Sequence, residues 1–161
     1  MGHACSHSIV CRDKVHAKCE SGMSRSHRFQ VRRCALQAMY ELDQGGTDDS
    51  LVGRCADESM DAESAAAVTE GQSLAARAWE TRHDSDEAIA EFVTDWPTHR
   101  QPIVDRNVLR WAWYEISHGG VPPAAAIDQA VDLAKEFGGE RSPAFVNAVL
   151  DRWWKCRDGV A

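Results

Sequence analysis

From Ser24 onward, apolar residues recur at three- and four-residue intervals, the period of an α-helix. A first helix is predicted from about Ser26 to Asp43, stopped by Gly45-Gly46. After a loop rich in Asp, Gly, Thr and Ser comes a second, roughly Ala62 to Thr81, with Val68, Leu74, Ala75 and Trp79 apolar. A third starts at Asp84, where Asp84 and Glu87 form a capping box, and ends before Pro97. In the fourth, from about Ile103 to His118, Leu109, Ala112, Trp113 and Ile116 share a face, and Gly119-Gly120 and Pro122-Pro123 break it. The fifth carries Ile127, Val131 and Ala134 and stops at Gly138-Gly139. The sixth has Ser142 as N-cap and Pro143 at its first position, and buries Phe145, Val146, Val149, Leu150 and Trp153. No convincing strand and no repeat of fixed period interrupts the pattern, so the expected class is all-α.

Residues 1–23 lack this periodicity and read as a disordered tail, or as an upstream start preceding a natural start at Met23. The globular domain is then 24–161, and the length suits one domain. Cys5, His7, Cys11, His16 and Cys19 could hold zinc, but no two cysteines have the close spacing of structural zinc sites, so no metal is expected. The N-terminus has no apolar run of a secretory signal, and the uncharged stretch from Ile116 to Ile127 is too short to span a membrane. The six cysteines therefore read as reduced thiols of a cytoplasmic protein. No phosphate loop, H-E-x-x-H or nucleophile elbow is present, and Cys34 has no histidine arranged with it, so neither an enzyme nor a bound cofactor is expected.

Charge changes the picture. The net charge of −7 is spread unevenly: residues 1–40 carry +5, 41–95 carry −12 and 96–161 are neutral. Arg25, Arg28, Arg32 and Arg33 open the first helix, against the helix dipole. On a helical wheel Arg25, Arg28 and Arg32 share an arc with Ala35, Leu36 and Met39, so the arginine stripe continues the apolar one. The first turns are expected to overhang the core and face an anion, with nucleic-acid phosphate the obvious candidate and a solvated basic patch the plain alternative. Phe29, among the arginines, is either a base-stacking platform or a residue at the core's edge. A helix–turn–helix reading fits poorly, because Asp128, Asp132 and Glu136 outnumber Lys135 on the fifth helix.

Four stretches then carry a resemblance: RRCALQAMY (32–40), VDRNVLRWAWYEI (104–116), IDQAVDLAKEFG (127–138) and SPAFVNAVLD (142–151). In order and spacing they resemble the NusB family of bacterial transcription antitermination factors, over about residues 24–155. The resemblance implies a bundle of about six to seven helices in two small subdomains. It implies binding of boxA-type single-stranded RNA together with the ribosomal protein NusE, acting on the RNA polymerase elongation complex, notably in ribosomal RNA operons. It assigns Arg28, Arg32, Ser142 and Phe145 to RNA. Arg25, Arg33 and Arg141 add positive charge beside them, Arg33 and Arg141 standing where the family commonly has acidic residues. It assigns Asp105, with Arg106 and Leu109 beside it, to the NusE face. The protein would be a monomer or homodimer.

Other expectations concern single residues. The helix-six N-terminus, with free amides after Ser142, offers a second anion site. Asn147 reads as structural, bonded to a neighbouring backbone group. Arg110 and Glu115 either bridge the subdomains as an ion pair or have separate partners, and the tryptophans of the fourth and sixth helices are mostly core. Two alternative functions survive: an accessory module for an RNA methyltransferase on another chain, and a protein-binding helical module without RNA binding.

Overall fold

A computed structural model describes residues 24–46 and 61–159; the tail with its zinc candidates, most of the first loop and Cys55 lie outside the described residues. Helix α1 spans Arg25–Asp43, one residue longer at its start than the wheel predicts, because the Ser24 hydroxyl accepts the His27 amide at 3.1 Å as N-cap. Helix α2 covers Ala62–Glu80, capped by Asp61, whose carboxylate accepts the Ser64 amide at 2.8 Å. Helix α3 covers Arg82–Ala90 with no side-chain cap, so the predicted capping box is not formed: Asp84 sits inside the first turn. A 3-10 turn, Thr98–Arg100, leads to α4, Ile103–Ser117; α5 is Pro123–Phe137 and α6 is Ser142–Asp158. Among the described residues every regular element is helical, the all-α class that the periodicity predicts.

Helix α1 lies along α2, and α5 lies along α6. Helix α4 contacts all five other helices and is the shared wall between these pairs. One apolar cluster runs through the whole arrangement, from Leu36 and Met39 of α1 through Leu74 and Ala78 of α2, Val108 and Trp111 of α4 and Leu133 of α5 to Val146 and Leu150 of α6. Trp111, Trp113 and Trp153 are buried, as expected, and each large apolar side chain removed from water contributes about 1.5–3 kcal/mol. No helix among the described residues is long and apolar enough to cross a membrane.

Close packing of α1 on α2 turns on Gly71. A Cβ at that position would lie 2.6 Å from Cys34 Cβ and 2.7 Å from the Val31 carbonyl oxygen, so neither side chain nor backbone leaves room for one. Gly71→Ala is expected to lower stability by about 1–3 kcal/mol despite alanine's better helix propensity, read from the urea midpoint.

Candidate nucleic-acid interface

The arginines of α1 do not face open space as a group. Arg32 is 4% exposed and lies inside the protein. Its Nε donates to Glu115 Oε2 at 3.0 Å, its Nη1 donates to the Arg28 carbonyl at 3.3 Å, and its guanidinium lies 5.6 Å from the Trp111 ring centroid. The shared arc of Arg32 with Leu36 and Met39 therefore means burial, and the expected overhang is corrected: Arg32 is not placed to reach a phosphate. Arg28 is half-buried.

Arg25 and Arg33 remain on the surface, each beside a carboxylate of α5. Arg25 Nη2 is 3.1 Å from Asp128 and 3.7 Å from Asp132, which Lys135 also approaches at 2.9 Å. Arg33 Nε is 3.6 Å from Glu136, and its guanidinium lies 5.6 Å from the centroid of the exposed Phe137 ring. The acidic face that speaks against a DNA-reading helix is thus turned toward the basic face of α1. Such exposed pairs contribute at most about 1 kcal/mol each and are broken by salt or by a stronger anion. Phe29 is half-buried and packs on the core's edge, beside a shallow cleft lined by Arg25, Gln129, Asp132 and Glu136.

Helix α4 explains where the other predicted residues go. It is apolar on one face but buried on nearly all, so its polar groups must find partners inside. Arg106 makes a two-pronged contact with Asp43, at 2.6 and 2.8 Å. Arg110 does the same with Asp86, at 2.8 and 2.7 Å, and its Nη1 donates to Asp43 and to Asn107. Glu115 belongs to Arg32, so Arg110 and Glu115 have separate partners rather than forming one bridge.

The expected NusE face is corrected in the same way. Asp105 and Leu109 are each only 2% exposed, and Arg106 is spent on Asp43. Asp105 meets the start of α6. Burial raises its carboxyl above the ordinary carboxylate range, while a hydrogen bond with the Ser142 side chain pulls the other way.

Ser142 is buried and is the first residue of α6 rather than its cap; its hydroxyl accepts the Gly139 amide at 2.9 Å, and its amide donates to the Gly139 carbonyl. The outward positions at this helix start are Arg141, exposed, and Phe145, half-buried against Trp96 at 5.1 Å between ring centroids. Asn147 is exposed rather than tucked against backbone. The sequence reading passes over Trp96 and Phe137, both exposed here, because an isolated aromatic near a helix end carries no periodic signal.

The fold is an all-helical bundle whose basic first helix faces the carboxylates of α5. The sequence profile of the NusB family matches residues 30–155, and the chain belongs to that family. The transcription antitermination protein NusB of Herpetosiphon aurantiacus is 42% identical over 134 residues, covering 78% of this chain and 88% of its own length. That of Chloroflexus aggregans is also 42% identical, covering 78% and 85%. The solved T. maritima NusB superposes with a TM-score of 0.68 at 30% identity, covering 80% of this chain and 90% of that one. A structure of antitermination factors NusB and NusE in complex with double-stranded RNA has the same fold, with a TM-score of 0.70 at 23% identity.

Two measurements check the buried polar groups. Removing either partner of the Arg32–Glu115 pair, by Arg32→Met or Glu115→Gln, is expected to cost about 3–5 kcal/mol, while the joint replacement Arg32→Met with Glu115→Leu costs less than the two together in a double-mutant cycle. For Asp105, a folded-state pKa above the unfolded 3.8 means the folded chain holds its proton longer. Its contribution to stability therefore falls as pH rises from 3.8 through the raised value. The urea midpoint of Asp105→Asn is expected to lack that fall and to exceed the parent's at neutral pH.

Proposed function

We propose that the chain is a cytoplasmic transcription antitermination factor that binds boxA-type single-stranded RNA together with NusE, and so promotes read-through by RNA polymerase, notably in ribosomal RNA operons. Family membership supports the antitermination role. The observation that carries the RNA reading is the position of Arg33, beside the exposed Phe137 where α5 ends and the Gly138-Gly139 turn leads to α6. Phe137 stands four residues before Arg141, which supports reading Arg25, Arg28 and Arg33 on α1 and Arg141 at the start of α6 as one cationic edge. Phosphates running along this edge would displace Asp128, Asp132 and Glu136, exchanging weak exposed pairs for charge-assisted contacts. NusE would add surface to the same RNA-bound complex, which makes binding of each partner strengthen the other.

One observation favours a second reading. Arg25 and Arg33 already have carboxylate neighbours and Arg32 is internal, which is also what a helical protein-binding module without RNA affinity would show.

The deciding experiment compares a boxA-type single-stranded RNA with a scrambled control, with and without NusE, over a salt series. The antitermination reading expects preference for boxA that NusE strengthens; equal and NusE-independent binding to both would overturn it. Joint replacement of Arg25, Arg28 and Arg33 by Gln is expected to weaken RNA binding by about one to two orders of magnitude at low salt and to reduce the log–log salt slope by about 0.7 per lost contact. Joint Asp128→Asn and Asp132→Asn is expected to tighten it. No change in either direction would leave the protein-binding module standing.

A further inference from the structure

Large apolar side chains in the open are Tyr40, Trp96 and Phe137 among the described residues. Trp96 is held at its backbone, at its indole nitrogen and by one ring neighbour. Its amide donates to the Val93 carbonyl at 2.9 Å, and its carbonyl accepts from Nε2 of the buried Gln101 at 2.9 Å. Its indole N–H donates to the Arg100 carbonyl at 3.0 Å. The ring packs against Phe145 with centroids 5.1 Å apart and planes tilted by 57°, and 37% of the residue stays exposed.

This arrangement restricts what the exposed ring can do. The only polar atom of the indole is already used by backbone, so a partner meets π-surface and not a hydrogen-bond donor. The ring is also fixed in orientation, so stacking a planar group on it costs little further ordering. Three arginines belong to the segments that meet at the ring. Arg100 lies on the same turn, and Arg141 lies one helical turn before Phe145, whose amide donates to its carbonyl at 3.1 Å. Arg152 reaches over Phe92, one turn before Trp96, at 5.9 Å from the ring centroid. Glu91, Asp95 and Glu140 lie in the same segments, and Asp151 beside Arg152 is paired with Lys155 at 2.7 Å. A fixed, partly exposed aromatic face, with Arg100 and Arg141 in the segments that hold it, fits an unpaired nucleobase with its flanking phosphates.

We propose that Trp96, seated on Phe145, is a stacking platform for one unpaired base of the bound RNA, with Arg100 and Arg141 neutralising the adjacent phosphates. This rests on the single-stranded RNA reading above and adds to it a residue that selects unpaired over paired RNA, since a base inside a duplex cannot offer its face. The two ideas fail separately. The test uses the full chain with a boxA-type single-stranded RNA, the same RNA carrying one abasic site at each position in turn, and its blunt duplex. Trp96→Phe keeps a ring. Trp96→Leu keeps apolar packing on Phe145 without one, which guards against loss through unfolding, checked by the melting midpoint.

Trp96→Leu is expected to weaken single-stranded binding about five- to hundredfold with an unchanged salt slope, Trp96→Phe to retain most affinity, and duplex binding to be unaffected by either. At one position the abasic site should weaken the parent and leave Trp96→Leu no worse. Joint Arg100→Gln and Arg141→Gln should instead make the salt slope shallower. Parent-like binding of single-stranded RNA by Trp96→Leu overturns the platform while leaving RNA binding intact. Loss of NusE affinity with RNA affinity unchanged overturns it in favour of a protein contact. No RNA binding by the parent chain overturns both.

Discussion

Helix α4 contacts all five other helices yet carries Asp105, Asn107, Arg110 and Glu115, all buried, and α1 and α3 are arranged to partner the last three, while one Asp105 oxygen stays without a hydrogen-bond partner. Taking such groups out of water is costly unless their lone pairs and protons are met inside. Asp43, the last residue of α1, accepts from Arg106, Arg110 and Asn107, while Arg32 in the middle of α1 reaches Glu115. Asp86 brings α3 to the same wall through Arg110. An apolar core tolerates small rotations of one helix on another; these pairs do not, because a shifted helix would leave a charge buried alone. Ion pairs thus set the register of α1 and α3 on α4, and apolar burial supplies the driving force.

The same constraint sorts the arginines of α1 into different tasks. One is drawn inside to meet Glu115, and Arg25 and Arg33 stay outside against the carboxylates of α5. The basic face of an acidic protein is thereby partly neutralised by its own chain. An RNA approaching this edge competes with Asp128, Asp132 and Glu136, so a weak or badly placed anion gains little. Exchange of one set of anions for another favours partners that present several phosphates at the right spacing.

The start of α6 is organised by the opposite rule, with polar groups turned in and aromatic surface turned out. Ser142 closes the Gly138-Gly139 turn and meets Asp105, which keeps this helix end anchored to α4. Phe145 and Trp96 then sit at the outer surface, backed by a clipped 3-10 turn that holds the indole still.

The sequence by itself determined the helices. Three- and four-residue spacing, the glycine and proline breaks and the Gly138-Gly139 stop were all readable, because helix formation and termination are local. The family resemblance was readable too, being carried by short ordered motifs. Local rules failed where capping was ambiguous: α3 starts at Arg82, without the box expected at Asp84, and Ser142 bonds backward to Gly139 instead of capping α6. Only the tertiary structure decided which polar residues are inside. A wheel places Arg32 beside Leu36 but cannot tell an overhang from a buried pair, since the answer depends on Glu115, 83 residues away. Asp105 and Leu109 look like a partner face until α4 is seen enclosed. Burial and charge pairing are sums over distant segments, so no stretch of sequence read alone contains them.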